Sequence, residues 1–126
     1  MKYDITLQEQ EWAQQTWEKL EVKIAAQNER LGSKMPYIPE NGRYKDMGEE
    51  NLTWWTNSFW CGILWQAYHA TGKQAYADNA AATEARLDRA LEEYVKLDHD
   101  IGFMWLHTAV ADYRLTGNEK SKLRGI

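Results

Sequence analysis

Apolar positions recur at helical spacing along most of the chain. The first series, Ala13, Trp17, Leu20, Ile24 and Leu31, predicts a helix that opens at the capping-box sequence Thr6-Leu7-Gln8-Glu9 and closes at Gly32. Between residues 32 and 52 the periodicity vanishes. Both prolines, Pro36 and Pro39, fall there with Gly42 and Gly48, which predicts a long loop, and loops of that length usually serve a function such as crossing the mouth of a site. A second helix, Thr56 to Thr71 with Gly72 as its stop, is apolar nearly all round through Phe59, Trp60, Cys61, Ile63, Leu64 and Trp65 and is therefore covered on most sides. A third, about Gln74 to Val95, is amphipathic, with Tyr76, Ala80, Leu87, Leu91 and Tyr94 on one face. Leu97-Asp98-His99-Asp100-Ile101-Gly102 breaks the pattern before a fourth helix, about Phe103 to Thr116, and a fifth begins after Asn118. No strand is needed.

The helices also repeat. Trp60, Tyr68, Thr71 and Gly72 return 45 residues later as Trp105, Tyr113, Thr116 and Gly117. One covered and one amphipathic helix per period is what stacked helical hairpins produce, in a solenoid or a closed toroid, and two copies do not decide between them. The expected fold class is all-α, with residues 1–126 as one unit of about two and a half hairpins. The last helix, Lys120 to Ile126, shows no C-terminal cap in its sequence.

Composition narrows the function. The chain has 7 Trp and 7 Tyr against 2 Phe, a bias toward rings with an apolar face and a polar handle, which suit interfaces and sugar sites. Its net charge is -4 and no basic run occurs, so nucleic acid is not an expected partner. The single Cys61 excludes an internal disulfide and paired-cysteine zinc sites, and within its apolar run it reads as a buried, inert thiol. Met1 to Thr6 leads directly into Gln8-Glu9-Gln10-Glu11 with no apolar segment or cleavage site for secretion, so a cytoplasmic location is expected. The longest uncharged stretch, Asn51 to Gly72, has the length of about 20 residues that a membrane span needs, yet it holds Asn51, Thr53, Asn57, Ser58, Gln66 and His69 and is too polar for hydrocarbon.

Two clusters are candidates for chemistry. In Asp98-His99-Asp100 the carboxylates flank an imidazole, an arrangement able to move protons or hold a metal. His69 and His107 stand without partners at helical spacing, so no metal is expected. Asp100 also precedes a helix and suits an N-cap, so a structural and a catalytic role both stand. In Trp54-Trp55-Thr56-Asn57-Ser58-Phe59-Trp60 the adjacent tryptophans cannot both face one core, so at least one enters a cleft or steadies the long loop. The rings otherwise fill core, and Asn57 is a credible N-cap.

These residues carry a resemblance. Trp55-Thr56-Asn57-Ser58-Phe59-Trp60-Cys61-Gly62-Ile63-Leu64-Trp65, with Tyr68 and Thr71-Gly72, followed by Leu97-Asp98-His99-Asp100-Ile101-Gly102-Phe103, resembles the N-terminal third of glycoside hydrolase family 88, the unsaturated glucuronyl hydrolases. The match runs over about residues 50 to 117 and, loosely, the first helix. The related rhamnogalacturonyl hydrolases share the fold, and the 97–103 motif favours family 88. The resemblance implies an arc of an (α/α)6 barrel and removal of a terminal unsaturated glucuronic acid from lyase-generated oligosaccharides. In that reaction an Asp protonates C4 of the C4=C5 double bond, water adds at C5, and the hemiketal opens to release the next sugar.

Residue by residue, the resemblance assigns Asp100 as the proton-donating acid/base, His99 and Asn57 as substrate contacts and Trp55 as the ring that stacks on the sugar. A partly dry aromatic cavity favours a protonated carboxyl, which suits an acid step. Some members carry an acidic residue at the position of Asn57, and some have two histidines before the Asp where this chain has His99 alone. The family draws a second Asp and further His, Arg and Trp from later hairpins that this sequence does not contain. No cofactor and no membrane are implied, and uncovered hairpin faces imply a possible homo-oligomer. A different class of function, a non-catalytic helical module that binds carbohydrate or a protein through exposed aromatics, competes with the enzyme reading.

Overall fold

The computed structural model describes residues 4–94 and 96–126. Val95, expected to end the third helix, and residues 1–3, at the start of the segment read as lacking a secretion signal, lie outside the described residues. The fold is all-α, as expected. Helix α1 (Leu7–Leu31) opens with the predicted capping box: Thr6 Oγ1 accepts from the Glu9 amide at 3.2 Å while the Glu9 carboxylate accepts from the Thr6 amide at 2.8 Å. It closes at Gly32, whose φ of 53° favours a residue without Cβ. Trp17, Ile24, Ala25 and Leu31 face the rest of the protein, but Ala13 and Leu20 face solvent. The packed stripe passes instead through two polar residues. Glu21 accepts hydrogen bonds from Tyr76 and Lys73, each at 2.6 Å, and buried Asn28 donates to the Ala75 carbonyl at 3.2 Å and accepts from Asn79 Nδ2 at 2.9 Å. Leu20 lies one residue, about 100°, off that stripe.

The segment 32–52 is more ordered than a loop. Strands β1 (Pro39–Glu40) and β2 (Arg43–Tyr44) pair antiparallel through Asn41 and Gly42, both at positive φ, which corrects the expectation of no strand. Asn-Gly is a strong short-range hairpin signal. A single turn, α2 (Met47–Glu50), follows, with Asp46 Oδ1 accepting from the Gly48 and Met35 amides at 3.1 Å. Arg86 of α4 (Gln74–Glu93) pins the segment, donating to the Ser33 carbonyl at 2.6 Å and pairing with Asp46 at 2.9 Å and Glu49 at 3.0 Å.

Helix α3 (Phe59–Thr71) and α4 form a hairpin closed by Gly72. The second copy runs continuously through α5 (Ile101–Trp105), a π-helical turn (Leu106–Val110) and α6 (Ala111–Thr116). The repeated Tyr-x-x-Thr-Gly is a helix stop. In each copy the glycine is left-handed, φ 69° and 76°, and donates to the tyrosine carbonyl at 2.7 and 2.9 Å. The threonine hydroxyl reaches the carbonyl four residues back at 2.7 and 2.9 Å and accepts the amide two residues on at 3.2 Å.

Ser58 Oγ donates to the Phe103 carbonyl at 3.0 Å, and a Cβ at Gly62 would lie 3.0 Å from His107 Cβ. Both pairs are 45 residues apart, so the two copies run side by side in the same direction without stagger. Helix α7 (Glu119–Arg124) is capped by Asn118 and, contrary to the uncapped reading, closes at Gly125, whose amide donates to the Ser121 and Lys122 carbonyls at 3.1 and 3.2 Å.

One core cluster joins Cys61, Leu64, Trp65 and Ala67 of α3 to Tyr76, Ala77 and Ala80 of α4, and a second joins Met35, Leu87 and Ala90 to Met104, Trp105 and Ala109. Cys61 is fully buried. Burial pushes its thiol pKa well up, as an inert cysteine requires. No helix among the described residues is long and apolar enough to cross a membrane.

Candidate functional site

Zero-stagger packing brings the N-terminal ends of α3 and α5 together. Trp55 and Asp100 are 45 residues apart and therefore occupy equivalent positions at that end. Trp55 is 40% exposed and stands edge-on to Phe59 at 5.7 Å; Phe103, 45% exposed, lies 6.4 Å from Trp55 and 6.3 Å from Phe59. The His107 ring completes the group, 5.0 Å from Phe59. His107 sits in the π-helical turn, a distortion found often at functional sites, against a neighbouring helix that offers only Gly62. Trp54 diverges from Trp55 as expected, its ring edge-on to Tyr37 of the 32–52 segment at 5.3 Å.

Asp100 precedes α5, yet its side chain makes no capping bond, which sets the cap reading aside. The turn is held by Asp98 instead, whose Oδ1 accepts from the Asp100 amide at 2.9 Å. The Asp100 carboxylate is half-buried and lies 3.6 Å from His99 Nε2, and the His99 side chain is 90% exposed. These two polar groups and the aromatic patch share one end of the helix pair.

Asn57 is different. It has no exposed surface, and its Nδ2 donates to the Asn51 and Leu52 carbonyls, both at 2.9 Å. Both its donor protons go to these carbonyls and its Oδ1 is buried without a partner among the described residues, so Asn57 holds the turn before α3 and exposes no atom at the surface. The N-cap alternative fails, since Ser58 occupies that place.

An open cavity of about 890 Å³ runs beside the patch, walled by Trp17 and Ile24 of α1, Ile63 and Gln66 of α3, and His107 and Arg114. Its lining includes Phe59 and His107 but not Trp55, His99 or Asp100. Among the described residues no three His, Cys, Asp or Glu side chains converge as metal ligands would. Phe59, Phe103, Gly62 and His107 are the members of the site that local spacing misses. Their signal is the 45-residue offset, which pairs Gly62 with His107 and sets Phe103 opposite Ser58.

No family model and no solved structure matches the chain. Curated relatives do. An unsaturated glucuronyl hydrolase of Bacillus sp. (strain GL1) is 35% identical over 101 residues, 79% of this chain and 26% of that protein. An unsaturated chondroitin disaccharide hydrolase of Streptococcus pyogenes serotype M1 is 38% identical over 72 residues, 56% of this chain and 18% of that protein, and its counterpart in Streptococcus agalactiae serotype III (strain NEM316) is 33% identical over 82 residues, 64% of this chain and 20% of that protein. The chain thus spans about a quarter or less of the length of these relatives. Over the matched residues, and as its two motifs led us to expect, the chain belongs with the unsaturated glucuronyl hydrolases.

Proposed function

We propose that this chain contributes one wall of a site that hydrates the C4=C5 double bond of a terminal unsaturated glucuronic acid on an oligosaccharide. The observation that carries the reading is that Trp55 and Asp100 stand at the matching ends of two parallel segments joined by the Ser58–Phe103 hydrogen bond. An exposed ring and an uncapped carboxyl then share one surface. In the proposed step Asp100, as the acid, gives its proton to C4, and positive charge develops at C5, where the ring oxygen stabilises it. Water adds at C5 and returns a proton to the Asp100 carboxylate, so the carboxyl serves as acid and then as base. The hemiketal opens and the next sugar leaves. Trp55 stacks on the sugar ring and His99, exposed beside Asp100, meets a polar group of the substrate. The names of the curated relatives support the substrate class.

The test is incubation with an unsaturated uronic-acid disaccharide, following loss of the double bond's ultraviolet absorbance and, in parallel, binding by tryptophan fluorescence. Asp100→Asn is expected to abolish any absorbance loss while keeping binding, and Trp55→Ala to weaken binding. Turnover undiminished in Asp100→Asn removes the proposed role. Exposed Trp55, Phe103, Ile63 and Leu106 also favour the second reading, a binding module without chemistry. Binding with no turnover, abolished by Trp55→Ala and untouched by Asp100→Asn, selects it. The same exposed faces are proposed to associate, so sedimentation should find species above the 14.8 kDa monomer, and a clean monomer refutes that association.

A further inference from the structure

The contact of α4 with α6 and α7 is closed by a polar cluster that shares no residue with the proposed sugar site. Glu84 of α4 is 1% exposed. Its Oε1 lies 2.6 Å from Ser121 Oγ and 2.8 Å from Arg124 Nη1, while its buried Oε2 meets no partner among the described residues. Ser121, also fully buried, places the same Oγ 2.5 Å from Asp112 Oδ2. Asn118 Nδ2 donates to Asp112 Oδ2 at 2.8 Å, and Thr116 Oγ1 lies 2.6 Å from Asp112 Oδ1 and 2.9 Å from the Asp112 carbonyl, its single proton serving one of the two at a time. Arg124 gives its main pairing to Asp88, with Nε and Nη2 each 2.6 Å from a carboxylate oxygen.

Counting protons assigns this network. A serine hydroxyl carries one proton and donates it to one acceptor. Ser121 nevertheless stands at hydrogen-bond distance from two carboxyl oxygens, so the second contact needs a proton that a carboxyl supplies. Asp112, whose two oxygens each meet a donor group, is the better anion. Glu84, with one oxygen buried and bare, is the poorer. We propose that Glu84 is held as a neutral carboxylic acid that donates to Ser121, which donates in turn to Asp112, so that one buried proton seats α7 against α4 and α6.

The surrounding charges agree. Asp112 on α6 and Arg124 on α7 face Glu84, Asp88 one turn further along α4 pairs with Arg124, and the Cys61 thiol of α3 lies nearby. With Glu84 neutral, Arg124 keeps Asp88 as its ion-pair partner through two bonds. Burial raises the Glu84 pKa and the charge of Asp112 adds to this, against the opposing pull of Ser121 and Arg124. A carboxyl whose folded pKa is raised contributes stability that is complete below its unfolded pKa and is lost as pH rises through the folded one.

The experiment is thermal unfolding of the full chain and of Glu84→Gln from pH 4 to pH 8. The glutamine amide can donate to Ser121 as the neutral acid does but does not titrate. The margin in Tm of the parent over Glu84→Gln is expected to shrink as pH rises. A margin that grows with pH, as an ionised Glu84 paired to Arg124 requires, or one that stays flat, overturns the proposal. Carboxyl carbon-13 titration of Glu84 in the parent keeps the test alive if the variant does not fold. A midpoint above that of a glutamate in an unstructured peptide supports the neutral acid, and a midpoint at or below it refutes it.

Discussion

Replacing Asn57 by alanine tests how the Trp54–Trp55 corner is built. Asn57 Nδ2 holds the carbonyls of Asn51 and Leu52, both at 2.9 Å, and so folds the chain back just before α3. That fold lays Trp54 on Tyr37 and Trp55 on Phe59. Alanine removes both bonds. Each is worth about 1 to 1.5 kcal/mol net, and the Leu52 carbonyl, left without a donor while that of Asn51 keeps the Trp54 amide at 3.1 Å, adds to the loss. One term opposes this: Asn57 Oδ1 is buried without a partner, a liability of roughly 1 kcal/mol that the substitution removes. The balance is a destabilisation of about 2 kcal/mol. Urea unfolding followed by tryptophan fluorescence measures it, with the m-value checking that the unfolding transition itself is unchanged. A loss below about 0.5 kcal/mol with unchanged native emission would show that these bonds do not shape the corner.

Asn57→Asp sharpens the same argument, because the family resemblance allows an acid at this position. A neutral carboxyl there donates once where asparagine donates twice, and an ionised one donates nothing and points charge at two carbonyl oxygens. Folding therefore favours the protonated form, and the folded pKa of the new carboxyl lies above its unfolded value. The variant should be nearest the parent at acid pH and fall away as pH rises. The opposite trend would mean that the carboxylate finds a cation or water that the buried asparagine does not meet.

Other perturbations probe the packing. Gly62→Val places a Cβ 3.0 Å from His107 Cβ and adds two methyl groups, which should destabilise by about 1–3 kcal/mol and shift the His107 ring resonances; unmoved resonances would deny the close approach. Tyr76 donates to Glu21 at 2.6 Å, and burial, then that hydrogen bond, pushes its phenol from 10.0 up to about 12. Its contribution is complete below pH 10 and lost as pH rises to about 12, so the stability margin of the parent over Tyr76→Phe should collapse across that window. A constant margin refutes the coupling.

Helix ends were the most legible features of the sequence, because a cap is a local structure. Thr6-x-x-Glu9, Gly32, Gly72 and Gly117 each satisfy orphan backbone groups within a few residues of themselves, and each stands where expected. Side-chain environment was harder to read. Leu20 and Glu21 exchange places because a tyrosine 55 residues away supplies Glu21 with a donor, and hydrophobicity cannot register such a partner. The Asn41-Gly42 turn was legible but was outweighed by Pro36 and Pro39. Asn57 reads equally as a cap, a ligand contact or a buried clamp, and only the carbonyls of Asn51 and Leu52 decide.

The same distinction explains the site. Read along its own helix, His107 stands alone, and Gly62 weakens its helix without visible return. Read across the 45-residue period they are one feature, since the missing side chain at 62 leaves room for the imidazole that packs at a tilt against Phe59. Ser58 and Phe103 form a second such pair, a small donor beneath the backbone of a large ring. Each pair sets a small residue of the first copy against a larger one of the second, so the helices approach closely while both aromatic rings turn to the same end. Trp55 and Asp100, 45 residues apart, stand before these two helices at the same end. At that point the two copies differ in chemistry, a tryptophan in the first and an aspartate in the second.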